Sequence, residues 1–228
     1  HGRGVFGRGN LLLPCQLGWL AEAGLGETSI GKVKATRPSG EIRIVAEVQR
    51  TLAEVVLSST EEVLRGEMAI DAAAGLIAEG RLLKPAAELL SESLHLAEVA
   101  YVLRLTRDRL DVDDVKAAAQ QRLVDLGVRE AADLPLVDPE DLDLDLPAAL
   151  QMDAEELRSI GREFPRIWIN AGVEHRVLVE RTPAAEVILE VERSKSSAKI
   201  KPPPPGQIPN FRGLPVRWRK ASRTVRIR

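Results

Sequence analysis

The stretch DAEELRSIGREFPRIWINAG, residues 153–172, holds two periods side by side. Leu157, Ile160 and Phe164 recur at steps of three and four, which is one face of a helix. Asp153 stands at the N-cap, with Glu156 three residues on in a D-x-x-E variant of the capping box. Met152 and Leu157 are spaced as a hydrophobic staple. Pro165 stops the helix, because the residue before a proline is driven out of helical geometry. Beyond it Ile167 and Ile169 alternate with Arg166 and Trp168, the period of a strand, and Asn170-Ala171-Gly172 reads as a turn. A helix that hands over to strands within one short segment predicts a mixed α+β chain.

Toward the C terminus the strand period continues. Val177 and Val179 come first, then Val187, Leu189 and Val191 alternating with Glu186, Ile188, Glu190 and Glu192. A loop of about twenty residues comes next, its four consecutive prolines (202–205) favouring a stiff, extended backbone. The last hairpin is predicted to pair residues 214–219 with 223–228. Leu214, Val216 and Trp218 face one way and Arg217 and Arg219 the other. On the return, Arg226 and Arg228 oppose Val225 and Ile227. Period two thus predicts four guanidiniums on one side of a ribbon, with Lys220 and Arg223 flanking the turn. Five short strands predict a β-barrel-like module over 165–228.

Toward the N terminus, residues 60–164 read as a helical bundle. Leu90, Leu94, Ala97, Tyr101 and Leu105 mark a long helix, and Leu89, Leu96, Val99 and Leu103 give it a second apolar face. Residues 111–114 cap the next helix, Val115, Ala119, Leu123 and Leu126 form its stripe, and Gly127 ends it. Residues 133–147 are acidic and proline-punctuated, as in short turns. Residues 1–59 read as a small β module, with strand-like runs at 11–13, 30–35, 42–47 and 55–57 and a turn at Pro38-Ser39-Gly40.

Composition bounds the chemistry. Of 228 residues only 3% are aromatic, so the core must be built from Leu, Val, Ile and Ala. A single cysteine, Cys15, excludes an internal disulfide framework and cysteine-based zinc sites, and fits a reducing, cytoplasmic setting. No apolar run approaches the ~18 residues of a membrane helix. The chain starts with His1 rather than Met, which suggests a piece of a longer protein. The net charge of −2 is unevenly spread: residues 193–228 hold eleven Lys and Arg and no acid, whereas 51–192 hold thirty acids against fourteen Lys and Arg. Such asymmetry points to a polyanionic partner.

The candidate sites derive from that asymmetry. Guanidinium forks match phosphate geometry, and phosphate contacts supply most non-specific nucleic-acid affinity. The candidate contacts to RNA or DNA are therefore Arg217, Arg219, Lys220, Arg223, Arg226 and Arg228, with Lys199, Lys201 and Arg212 from the proline loop. Phe211 beside Arg212 is placed to stack on a base. The competing reading is a solvated strand face whose cations pair with the acidic middle or dock on an acidic protein. Residues 26–32 match the first part of a phosphate loop, G-x-x-x-x-G-K, but Val33 replaces the Ser or Thr that holds magnesium, and the residues after Lys32 are β-like rather than helical. His1, His95 and His175 lie far apart. No carboxylate sits in a catalytic motif, and Cys15 has no histidine context, so neither a catalytic set, a metal site nor a cofactor is expected.

The run Gly7-Arg8-Gly9-Asn10-Leu11-Leu12 is followed by Glu41-Ile42-Arg43-Ile44, which leads through residues 52–58 into helices. The segments 154–165, 167–172, 176–179 and 186–191 come later, and then the hairpin from 214–216 to 224–225. This order of pieces resembles the region after the motor in bacterial HrpB-type DExH-box helicases. The resemblance implies an accessory region of an ATP-dependent helicase whose hydrolysis belongs to upstream motor domains. The four-proline loop and the terminal Arg226-Ile227-Arg228 depart from the family's pattern.

Overall fold

A computed structural model describes residues 16–52, 54–181, 183–194 and 200–228. Residues 2–9, the strand expected at 11–13, Cys15 and Lys199 lie outside them. The chain is α+β, as its periods require. A short helix α1 (Leu17–Glu22) precedes an antiparallel sheet of β1 (Glu27–Thr36), β2 (Arg43–Leu52) and β3 (Val55–Val63). Helices α2 (Gly66–Ala78), α3 (Lys84–Val102), α4 (Val112–Asp125), α5 (Leu146–Leu150) and α6 (Ala154–Glu163) come after it. The second sheet holds β4 (Ile167–Asn170), β5 (Val173–Arg181), β6 (Ala185–Ser194), β7 (Val216–Lys220) and β8 (Arg223–Arg226), in that order across the sheet. Among the described residues no pairing joins β8 to β4.

In the first sheet Ile42, Ile44 and Ala46 are buried, which is the period-two face read from the sequence. Residues 26–32, spaced like a phosphate loop, run into and along β1 rather than into a helix. Their glycines serve the sheet instead. Gly26 has φ +91°, and a Cβ there would lie 2.5 Å from the Thr51 carbonyl oxygen. Gly31 sits where the β1–β2 register slips, between Ile30 and Val33.

The helices form as their caps and stripes predict. The Asp111 carboxylate accepts from the amides of Asp113 and Asp114, and Asp114 accepts in return from the Asp111 amide. Val115, Ala119 and Leu123 are buried, but Leu126 is exposed. In α6, Leu157, Ile160 and Phe164 are buried. Asp153 caps the amides of Glu155 and Glu156, but the expected capping box is only half formed, since the Glu156 carboxylate pairs with Arg212 instead of returning to the Asp153 amide. Helix α3 is shorter than its leucine spacing suggests. Arg104 adopts φ +61°, a left-handed turn that ends the helix before Leu105, and Tyr101 and Leu105 are exposed.

Two apolar cores share α3. Ala86, Ala87 and Leu90 pack with α2, α4 and the first sheet. Ala97, Val99, Ala100 and Val102 pack with α5, α6 and the inner face of the second sheet. That inner face carries Val177, Val179, Val187, Leu189, Val216 and Trp218. Trp168 packs there too, with its ring 5.2 Å from buried His175, while Ile169 faces solvent. Strands β6 and β7 pair in parallel, so the chain must cross from one end of the sheet to the other between them. Residues 200–215 make that return across the core. Pro203, Ile208 and Phe211 are buried, and the Phe211 ring lies 5.6 Å from Phe164. The described part of the proline loop is thus packed structure rather than a free linker. No described helix is long and apolar enough to cross a membrane.

Candidate nucleic-acid interface

The register of the second sheet decides where each cation goes. Arg217 lies opposite Arg226, Trp218 opposite Val225, Arg219 opposite Thr224, and Lys220 opposite Arg223. On the other side of β7, Ile188 lies beside Arg217 and Glu190 beside Arg219. Alternation then puts Arg217, Arg219 and Arg226 on the outer face with Glu186, Ile188 and Glu190. Lys220 and Arg223 are on the Trp218 side, at the exposed hairpin end beyond the core.

The outer face is a ladder of alternating charge. Arg217 Nε is 2.8 Å from Glu186 Oε2. Arg219 Nε is 2.9 Å from Glu190 Oε1, and its Nη1 is 3.9 Å from Glu180 Oε1. Glu186 is the most enclosed of these acids, its side chain 12% exposed, and Arg217 is its ion-pair partner. Ile188 is buried between the two acids, where the methylene stem of an arginine covers apolar surface while its head stays polar.

The remaining candidates divide sharply. Arg212 is a clasp. Its Nε lies 2.8 Å from Glu163 Oε2, and its Nη2 donates to Glu156 and Glu163, both at 3.1 Å. The same bond draws the Glu163 carboxyl below its ordinary range and lifts the Arg212 guanidinium further above its own. Arg228 is also tied down. Strand β8 ends at Arg226, the next two amides both turn onto the Val216 carbonyl, and Arg228 Nη2 donates to Asn210 O at 2.7 Å. It therefore leaves the row that strict alternation predicts. Phe211 is core, closed to any base.

Among the described residues Lys201, Lys220, Arg223 and Arg226 are exposed and make no ion pair or side-chain hydrogen bond. Three of these border β8, the outermost strand. Arg223 and Arg226 are three residues apart, about 10 Å along a strand, and point to opposite sides of it. Both sides meet along the strand's free edge. A polyanion backbone tracking that edge meets positive charge from each.

Elsewhere, a cleft of about 630 Å³ lies between α3 and β5. Its Arg109 is held by Glu98, and its Arg166 by Glu88 and Glu92. His95 stands in its wall and shares a 2.8 Å hydrogen bond with the Phe164 carbonyl; burial pushes its pKa down. Among the described residues no cluster of three or more His, Cys, Asp or Glu side chains could hold a metal ion.

The partners of Arg217, Arg219 and Arg212 all lie in the acidic middle that the competing reading named, but the sequence did not say which acids they are. Each partner lies on another element, and only the alternation of glutamates along β6 hinted at an acidic strip. Comparison with known proteins adds little to this geometry. No protein-family model matches the chain, and no curated protein matches it. Among solved structures it is similar to part of the crystal structure of the E. coli DExH-box NTPase HrpB, at 16% identity and a TM-score of 0.29. That likeness covers 92% of this chain, which spans about a quarter (26%) of the other.

Proposed function

We propose that this chain is a nucleic-acid-binding accessory region that holds RNA or DNA by its phosphates. The observation that carries the reading is the strip of unpaired cations along β8, Lys220, Arg223 and Arg226, with Lys201 as a further free cation and no acid in residues 193–228. Arg217 and Arg219 stand beside the strip but are already partnered. Arg212 and Arg228 brace the crossover. The order of sequence segments that resembles the post-motor part of DExH-box helicases supports placing this region beside an ATP-dependent motor, as a clamp on the strand the motor moves.

The number of free cations sets a quantitative expectation. Three or four phosphate contacts to a single strand give a slope of log affinity against log salt of about −2 to −3. Participation of all nine candidate cations would give about −6. The test is binding of single-stranded RNA and DNA oligomers between ~50 and ~200 mM salt. The triple change Lys220→Glu, Arg223→Glu and Arg226→Glu is expected to abolish binding with an unchanged circular dichroism spectrum. Binding that ignores salt, or that survives the triple change, overturns the reading. A second reading has one observation in its favour: two guanidiniums of the same hairpin already hold carboxylates. If polyglutamate binds as tightly as an oligomer of equal charge, the strip is a dock for an acidic protein.

A further inference from the structure

Arg217 and Arg219 lie two residues apart on β7, and each is ion-paired with a glutamate of β6. Glu186 and Glu190 project from β6, the strand in register beside them. Each lies within 3 Å of a guanidinium Nε, at 2.8 and 2.9 Å. A carboxylate in that position supplies the negative charge that a phosphate would supply; the contact is one of charge, since Arg219 Nε makes no well-formed hydrogen bond. The parallel pairing of β6 with β7 holds the backbone positions of these residues in register, so each acid stays within reach of its guanidinium. Across β7, Arg226 faces Arg217 directly. Two like charges at that spacing repel, and Glu186 relieves the repulsion by neutralising one of them.

We propose that Glu186 and Glu190 are built-in competitors of nucleic-acid phosphates. They hold Arg217 and Arg219 out of the interface and thereby set its affinity and width. This rests on the nucleic-acid reading above. With both acids in place, phosphates contact the β8 strip alone. With both removed, Arg217 and Arg219 become available next to Arg226, with Glu180 left 3.9 Å from Arg219 Nη1 as a more distant partner, and the strip widens from one strand to two.

The test compares the full chain with the double variant Glu186→Gln, Glu190→Gln and with a control, Glu174→Gln, Glu192→Gln. The control removes the same charge from the same sheet at acids that make no ion pair among the described residues. Each binds a single-stranded oligomer across a salt series. The double variant is expected to bind about tenfold more tightly at 200 mM salt, with a slope steeper by about 1.4, as two added contacts require. The control slope is expected to stay that of the unaltered chain. Equal tightening of both variants means that net charge alone acts, and overturns the proposal. One affinity and one slope for all three chains also overturns it, while leaving the nucleic-acid reading in place. Absence of binding by every chain at ~50 mM salt removes that reading, and this one with it. Because Glu186 is enclosed, thermal melts accompany each variant. If the double variant fails to fold, Glu190→Gln alone, at a more open position, is expected to steepen the slope by about 0.7.

Discussion

His175 is 2% exposed on the inner face of the second sheet, and neither of its ring nitrogens makes a well-formed hydrogen bond. Burial pushes its pKa down, offset in part by the backbone groups of Trp168 and Val173. A histidine with a folded pKa below its unfolded value of about 6.5 leaves stability intact above that pH. Stability is then lost as pH falls toward the folded pKa, because the unfolded chain takes the proton first. The unfolding free energy from urea titrations is therefore expected to drop between pH 7.5 and pH 5.5, by at most about 1.4 kcal/mol per pH unit for each such proton. His95 shifts in the same direction, close to Glu92, Arg166 and Arg176, so His175→Phe should flatten the drop without removing it. A variant that loses stability as steeply as the unaltered chain would place the acid sensitivity elsewhere.

The crossover from β6 to β7 is held by two neighbours of different kinds. Phe211 fills the core against Phe164, while Arg212 ties the same turn to α6 from outside. Both adopt positive φ, +45° and +53°, a conformation that packing and ion pairs must hold in place. Phe211→Ala is expected to cost about 3–5 kcal/mol through the lost burial and cavity. Arg212→Ala should cost about 1 kcal/mol, because its carboxylates stay near water. Chemical denaturation of both variants checks the ratio, and equal costs would contradict the division of labour. Much of this level was legible in the sequence. The Asp111 cap, the Leu157 stripe and the Pro165 stop are local, and they formed where their spacing put them. The end of α3 was not legible, since Arg104 turns left-handed with no glycine to announce it. Nor was the parallel pairing: alternation says which way a side chain points, but not which strand lies beside it. Without that neighbour the carboxylates facing Arg217 and Arg219 could not be found.

At the scale of the molecule, α3 joins what the sequence divides into modules at 59/60 and 164/165. Its first half belongs to one core and its second half to the other. A single helix of 19 residues that packs into both cores couples their unfolding. Calorimetry is expected to show one cooperative transition for both cores, and two resolved transitions would mean that the modules are independent. The outermost strand has a consequence that reaches beyond one copy of the chain. An unpaired strand edge is a template on which a second molecule can add its own strand, and proteins keep such edges short and charged to prevent it. Strand β8 is four residues long and begins and ends in arginine. The cations proposed to hold nucleic acid therefore also place charge along this edge, where charge opposes strand addition. Exchanging them for glutamate preserves that protection, whereas exchanging them for valine or threonine would trade a binding defect for aggregation.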